Sequence, residues 1–426
     1  MTRLTQLSAS QAAALLSRRE ISAEELTRAC LHRIADREPR VQAWQFLDEK
    51  IALAQARTID HHPVGPLYGV PVGIKDIIDT ADLPTEYGSS IYAGHRPASD
   101  AACVAALRRS GAVILGKTVT TEFAYFTPGK TRNPNRPEHT PGGSSSGSAA
   151  AVADHMVPVA LGTQTAGSII RPASFCGVIG FKPSFAQFPM NGIRPLAPSL
   201  DTLGLLTRDL GDLSLMWQVF VGESWSLPPA DVAPKVGFCR TEQWPLASKE
   251  TQGVMVEAAE ALRNAGARIE EVELGGACTG LLDVQKVVMA FEMSQSLRTE
   301  RELHRDRLGE HLRDILEVGA ATPVERYRAV LERAAECRRH VNAIFARFDV
   351  LLTPSAVGEA PAGLESTGDP AFNRIWTLLH LPCISLPAGR GDRGLPVGIQ
   401  LVGPARGDER LYQASGWALR ALRAKG

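Results

Sequence analysis

Apolar residues along the first sixty positions recur at helical spacing. Ser10 is placed to cap a helix over residues 11–18, and Ser22-Ala-Glu-Glu25 spells a capping box opening a second helix over residues 23–34. A third helical pattern covers residues 46–59. The period then changes. Residues 67–75, Leu-Tyr-Gly-Val-Pro-Val-Gly-Ile-Lys, are short, rich in branched side chains and broken by glycine, which predicts a strand presenting Lys75 at its end. An amphipathic helix over residues 99–109 stops at Gly111, and residues 112–115 form the next strand.

The alternation continues through a stretch rich in small residues, 141–172. Gly142-Gly-Ser-Ser-Ser146 leads into Ser148-Ala-Ala-Ala-Val-Ala153, suited to a tightly packed helix; a strand follows at 157–161, then the loop Gly162-Thr-Gln-Thr-Ala-Gly-Ser168. Residues 205–221 and 249–267 read as helical, with a strand at 235–239 between them, and residues 285–347 are charged and helical. Strand patterns resume at 350–354, 383–387 and 398–402, and a last helix covers 408–422. Alternating strands and helices predict an α/β sheet covered by helices. With no repeat or clean linker, the expected organisation is one domain over 1–426, with its core at 67–204 and 349–426 and a mostly helical insertion at about 284–347.

Composition narrows the function. Lys plus Arg and Asp plus Glu both number 46, so no basic surface argues for nucleic acid or an anionic membrane. Seven scattered cysteines with no CxxC pair indicate neither a disulfide framework nor a zinc site. No secretory pattern or membrane-length apolar run is present, and the expected setting is cytoplasmic. The histidines show no metal-ligand spacing. Two motifs match in spelling alone. Gly111-Ala-Val-Ile-Leu-Gly-Lys-Thr118 spells a phosphate loop, but its middle is an apolar strand, and Gly143-Ser-Ser-Ser-Gly147 spells a nucleophile elbow with no strand leading into it. What remains is a set of hydroxyls and Lys75, flanked by Gly73-Ile74 and Ile77-Ile78, where burial would lower its pKa and let it serve as a base.

In conjunction these segments resemble the amidase signature family. The resemblance rests on Gly69-Val-Pro-Val-Gly-Ile-Lys-Asp76, Leu115-Gly-Lys-Thr118 with Glu122-Phe123, Pro141-Gly-Gly-Ser-Ser-Ser-Gly-Ser148, Gly162-Thr-Gln-Thr-Ala-Gly-Ser-Ile-Ile-Arg-Pro172 and Gly180-Phe-Lys-Pro183. It implies a large mixed, mostly parallel twisted sheet with helices on both faces, and a Ser–cis-Ser–Lys triad with no metal or other cofactor. Ser168 then matches the nucleophile, Ser144 the serine reached through a cis peptide bond, and Lys75 the base. The loop Thr165-Ala166-Gly167 matches the oxyanion hole, Ser145 supports the relay, and Tyr125 lies where family members line the acyl pocket. Two positions depart from the commonest pattern: Gln164 stands where many members have Asp, and Ala166 where many have Gly, a strained choice if that residue needs positive φ.

The spelling Ser168-Ile-Ile-Arg171 and the segment Asn373-Arg-Ile-Trp-Thr377 resemble the malonamidase branch of that family, in which the matching arginine binds a substrate carboxylate. A guanidinium beside the nucleophile suits that task. The expected reaction is hydrolysis of a small amide such as malonamate to an acid and ammonia, by a protein with no nucleic-acid or membrane partner; the resemblance further implies a homodimer. The alternatives are the glutamine-hydrolysing A subunit of a tRNA-dependent amidotransferase, a biuret- or urea-type hydrolase, and an inactive scaffold that kept the fold.

Overall fold

The computed structural model describes residues 2–227 and 232–424; the remaining positions of the expected 1–426 unit lie outside the described residues. Eleven strands form one sheet: β1 (Trp44–Leu47), β2 (Pro71–Lys75), β3 (Val113–Thr118), β4 (Val159–Gln164), β5 (Ile179–Lys182), β6 (Thr202–Thr207), β7 (Lys235–Phe238), β8 (Arg268–Glu271), β9 (Val350–Pro354), β10 (Cys383–Arg390) and β11 (Pro396–Val402). Their spatial order is β1-β3-β2-β4-β6-β5-β10-β11-β9-β7-β8. Every residue of β2, β3, β4, β6, β9 and β11 is buried, as a sheet covered on both faces requires.

The sheet is mixed. Parallel pairing is confined to β2 with β3 and β4, and to β7 with β8 and β9. The other six pairs are antiparallel, more than a mostly parallel sheet would hold.

The structure revises four local readings. The helix Ala9–Ser17 is capped by Ser8 through a capping box with Gln11, while Ser10 bonds instead to Asp212. Residues 44–47 are strand β1, and the next helix, Glu49–His61, starts only after Asp48 accepts the N–H groups of Lys50 and Ile51. Residues 205–207, read as the start of a helix over 205–221, instead end β6, and the helix runs over Gly211–Val221. A wholly buried apolar run carries no period to tell strand from helix. The charged edge strand β8 has no apolar alternation to reveal it, and it follows a helix that ends at Asn264.

Chain topology brings the chemistry together at the carboxyl ends of the parallel strands. Lys75 ends β2 in register with Thr118 of β3, and β4 runs beside it to Gln164. Between them lies the small-residue helix Ser146–Ala153. Its Gly147 allows that approach: a Cβ there would sit 2.2 Å from the Ala43 carbonyl oxygen and 2.3 Å from the Val119 nitrogen. The helices from Leu281–Ser296 to Val324–Ile344 contribute no strand, but the first of them packs against the helix Ala371–Leu378 and reaches the site. Among the described residues no helix is long and apolar enough to cross a membrane.

Candidate active site

Lys75 is fully buried. Its Nζ donates to Ser144 Oγ at 2.7 Å and Thr163 Oγ1 at 2.8 Å, with the Thr163 carbonyl at 3.4 Å. Among the described residues no carboxylate forms an ion pair with it, and desolvation pushes its pKa well below the usual lysine value, opposed only by the charge of Asp201. The peptide bond between Gly143 and Ser144 is cis.

Ser144 and Ser168 line one chamber together with Thr165, Ala166 and Arg171. The Ser145 N–H donates to the Ser168 carbonyl at 3.3 Å, and Ser145 Oγ exchanges hydrogen bonds with the backbone of Thr163. Among the described residues the N–H groups of Ala166, Gly167 and Ser168 find no protein acceptor. Ala166 does not adopt positive φ, so its methyl carries no backbone strain.

The loop is held by Asp201 and Gln285, which the sequence did not single out, and by Thr377 and Gln164. Thr165 Oγ1 donates to Asp201 at 2.5 Å, and Gln285 Nε2 donates to the Thr165 carbonyl at 3.2 Å. Thr377 Oγ1 donates to the Ala166 carbonyl at 2.9 Å and accepts from Gln164 Nε2 at 3.0 Å. Gln164 Oε1 in turn accepts the N–H groups of Ile169 and Ile170, at the start of the helix Ile170–Cys176. Glutamine here both donates and accepts, which an ionised aspartate cannot do. Asp201 is buried, and desolvation raises its pKa to about 7.

Arg171 is buried and borders the chamber. Its guanidinium donates to the carbonyls of Gly368 (2.6 Å) and Gly143 (2.7 Å) and to Thr367 Oγ1 (3.0 Å). Its Nε has no partner, and no acid pairs with it among the described residues. Tyr125 and Phe126 meet edge to face at 4.8 Å and divide the chamber from an outer cavity of about 420 Å³. The chamber itself is about 10 Å³, room for one water.

Comparison with known proteins places the chain's sequence and fold among the amidases. The family described as "Amidase" matches residues 25–412. The A subunit of the glutamyl-tRNA(Gln) amidotransferase from Roseiflexus castenholzii is 34% identical over 97% of this chain and 95% of its own length. That alignment runs to 468 positions, so the relative carries segments that this 426-residue chain lacks. A solved amidase structure is 28% identical, covering 98% of this chain and all of that one, with a TM-score of 0.89. The peptide amidase of Stenotrophomonas maltophilia is also 28% identical, covering 98% and 97%, with a TM-score of 0.84.

One expectation is overturned. A chain acting alone on a small-molecule amide, with no nucleic-acid connection and no partner beyond its own copy, does not fit relatives that are subunits of a glutamyl-tRNA(Gln) amidotransferase. Balanced charge argues only against a strongly basic surface. An interface with another protein has much the composition of any other surface and leaves no mark on overall composition.

Proposed function

The chain belongs to the amidase family, serine amidohydrolases that cleave C–N bonds, and on that footing we propose that it hydrolyses the terminal amide of a carboxylate-bearing substrate, glutamine first, as the ammonia-releasing A subunit of an amidotransferase. The observation that carries the chemistry is the 2.7 Å contact between Lys75, buried without an acid partner, and Ser144. Neutral Lys75 takes the Ser144 proton as Ser144 takes that of Ser168, and Ser168 Oγ attacks the amide carbon. The oxyanion settles toward the N–H groups of the loop Thr165-Ala166-Gly167-Ser168. The C–N bond breaks as the nitrogen receives a proton back through Ser144, releasing ammonia. Water then attacks the acyl ester, gives its proton to the same relay, and frees the acid and Ser168. Ser145 holds the two loops together, Arg171 faces the substrate carboxylate, and Tyr125 closes the pocket.

Malonamate is the second reading. The small chamber and the segments missing relative to the amidotransferase relatives favour a short substrate, as does the Ser168-Ile-Ile-Arg171 spelling. Ammonia release from L-glutamine, malonamate and neutral malonamide, by wild type and Ser168→Ala, separates the readings. Turnover of glutamine, lost in Ser168→Ala, is the expected result. Turnover of malonamate alone moves the substrate to the second reading, and a Ser168→Ala variant with wild-type rates ends the mechanism.

A further inference from the structure

A second arginine stands beside the chamber. Arg374 lies on the buried helix Ala371–Leu378, and its guanidinium carbon is 5.7 Å from the centre of the Phe126 ring; that of Arg171 is 5.6 Å from the same centre. Arg374 Nη1 donates to Gln285 Oε1 at 2.6 Å and lies 3.8 Å from the sulfur of Met289, which itself lines the chamber. Among the described residues neither arginine forms an ion pair. The acid whose charge acts on both is Asp369, and it is exposed.

Two buried guanidiniums against one ring, with no anion between them, are electrostatically incomplete. Desolvation, and after it the charge of Arg374, brings Arg171 down to about 9. A structural arginine is normally matched by a buried acid. Here the neutral Gln285 occupies that place, holding the fork of Arg374 without cancelling its charge.

We propose that Arg374 is a specificity-determining residue which, with Arg171, forms a two-cation receptor for the carboxylate of the amide substrate, Gln285 keeping it charged and oriented. The inference rests on the carboxylate-bearing substrate proposed above and adds a residue to its recognition. Phe126 spaces the two cations beside the chamber, and the substrate's anionic end supplies the missing countercharge. Loss of Arg374 removes part of that attraction without breaking a hydrogen bond to Lys75, Ser144 or Ser168.

The test compares kcat/KM for a carboxylate substrate with that for a counterpart neutral at that end, L-glutamine against glutaminol and malonamate against malonamide. The full-length chain is used as wild type, Arg374→Gln, Arg374→Lys and Gln285→Glu. For Arg374→Gln the carboxylate-to-neutral ratio is expected to fall by about 10- to 100-fold, chiefly through KM, the range of a lost charge-assisted hydrogen bond. Arg374→Lys is expected to recover part of it, and Gln285→Glu to lower the ratio by placing an internal carboxylate on Arg374. A uniform fall in both substrates of a pair would make Arg374 structural and overturn the proposal. Should Arg374→Gln not fold, an unchanged ratio in Gln285→Glu overturns it equally. A wild type that turns over no carboxylate-bearing amide defeats the functional reading and this inference together; a selective wild type whose variants keep that selectivity defeats this inference alone.

Discussion

Lys75 Nζ and Ser144 Oγ are 2.7 Å apart inside a protein core that offers the ammonium form no ion pair among the described residues. Burial favours the neutral amine over the ammonium form. Lys75→Met keeps the length of the side chain and removes the base. Its kcat is expected to fall by roughly 10²- to 10⁴-fold. Its melting temperature should change little, because relief of the buried amine's desolvation offsets the donor lost to Ser144 and Thr163. Steady-state ammonia release and a thermal melt on the same preparation check both. Near-wild-type turnover would remove Lys75 from the mechanism.

Asp201 sets where that base titrates. Its charge raises the Lys75 pKa while burial lowers it. Activity needs neutral Lys75, so it should rise with pH through the Lys75 pKa. Asp201→Asn removes a charge that stabilises the ammonium form and is expected to move this acid limb to lower pH. Asp201 has a second signature. Its folded pKa of about 7 lies above the ordinary carboxyl value of 3.8, so the folded state binds its proton more tightly. Stability from this group is full below about pH 4 and lost as pH rises toward 7. The Asn variant should therefore show a flatter melting temperature between those limits, and a limb that stays in place would disconnect Asp201 from Lys75.

The sequence revealed the groups that sit in short contiguous motifs. Lys75, Ser144, Ser145 and Ser168 lie in Gly- and Ser-rich segments whose order along the chain marks the family, and the ends of β2 and β4 bring those segments together. The bracing residues are illegible for a physical reason. Asp201, Gln285 and Thr377 come from a strand edge and two separate helices, 36, 120 and 211 positions from the loop atoms they hold. No local pattern reports such a contact. The apolar run at β6 and the charged edge β8 were hidden differently, one by complete burial and the other by lack of alternation.

Thr377 tests the bracing. Thr377→Val keeps the shape and removes a hydroxyl that donates to the Ala166 carbonyl and accepts from Gln164. Both groups are left buried without that partner, at a cost of about 1–3 kcal/mol. Turnover is expected to drop about tenfold with KM little changed, because the loop supports charge that develops only in the transition state. Thr377→Ser should restore most of it. Equal loss in the serine variant, which keeps the hydroxyl, would show that the hydroxyl's two bonds are not what sets the rate.

Gly167 immediately precedes Ser168, and space there is fixed by the neighbouring helix. A Cβ on Gly167 would lie 2.5 Å from Asn373 Oδ1 and 2.8 Å from Pro370 Cβ, both on or beside the helix Ala371–Leu378. Gly167→Ala must therefore push the loop away from that helix and carry the Ser168 hydroxyl with it. A displacement of this order is expected to lower kcat by about 10²-fold. The accompanying loss of stability should be about 1–3 kcal/mol, as for other overpacked sites. Gly253, in the helix Lys249–Asn264 with nothing within 4 Å of its would-be Cβ, provides the contrast. The same substitution there should stabilise the protein by about 1 kcal/mol through helix propensity and leave turnover unchanged. Thermal melts and ammonia release on the two variants side by side decide the matter. If Gly167→Ala turns over like Gly253→Ala, the loop has more freedom than its packing implies, and the position of Ser168 is not set by the contact with Asn373.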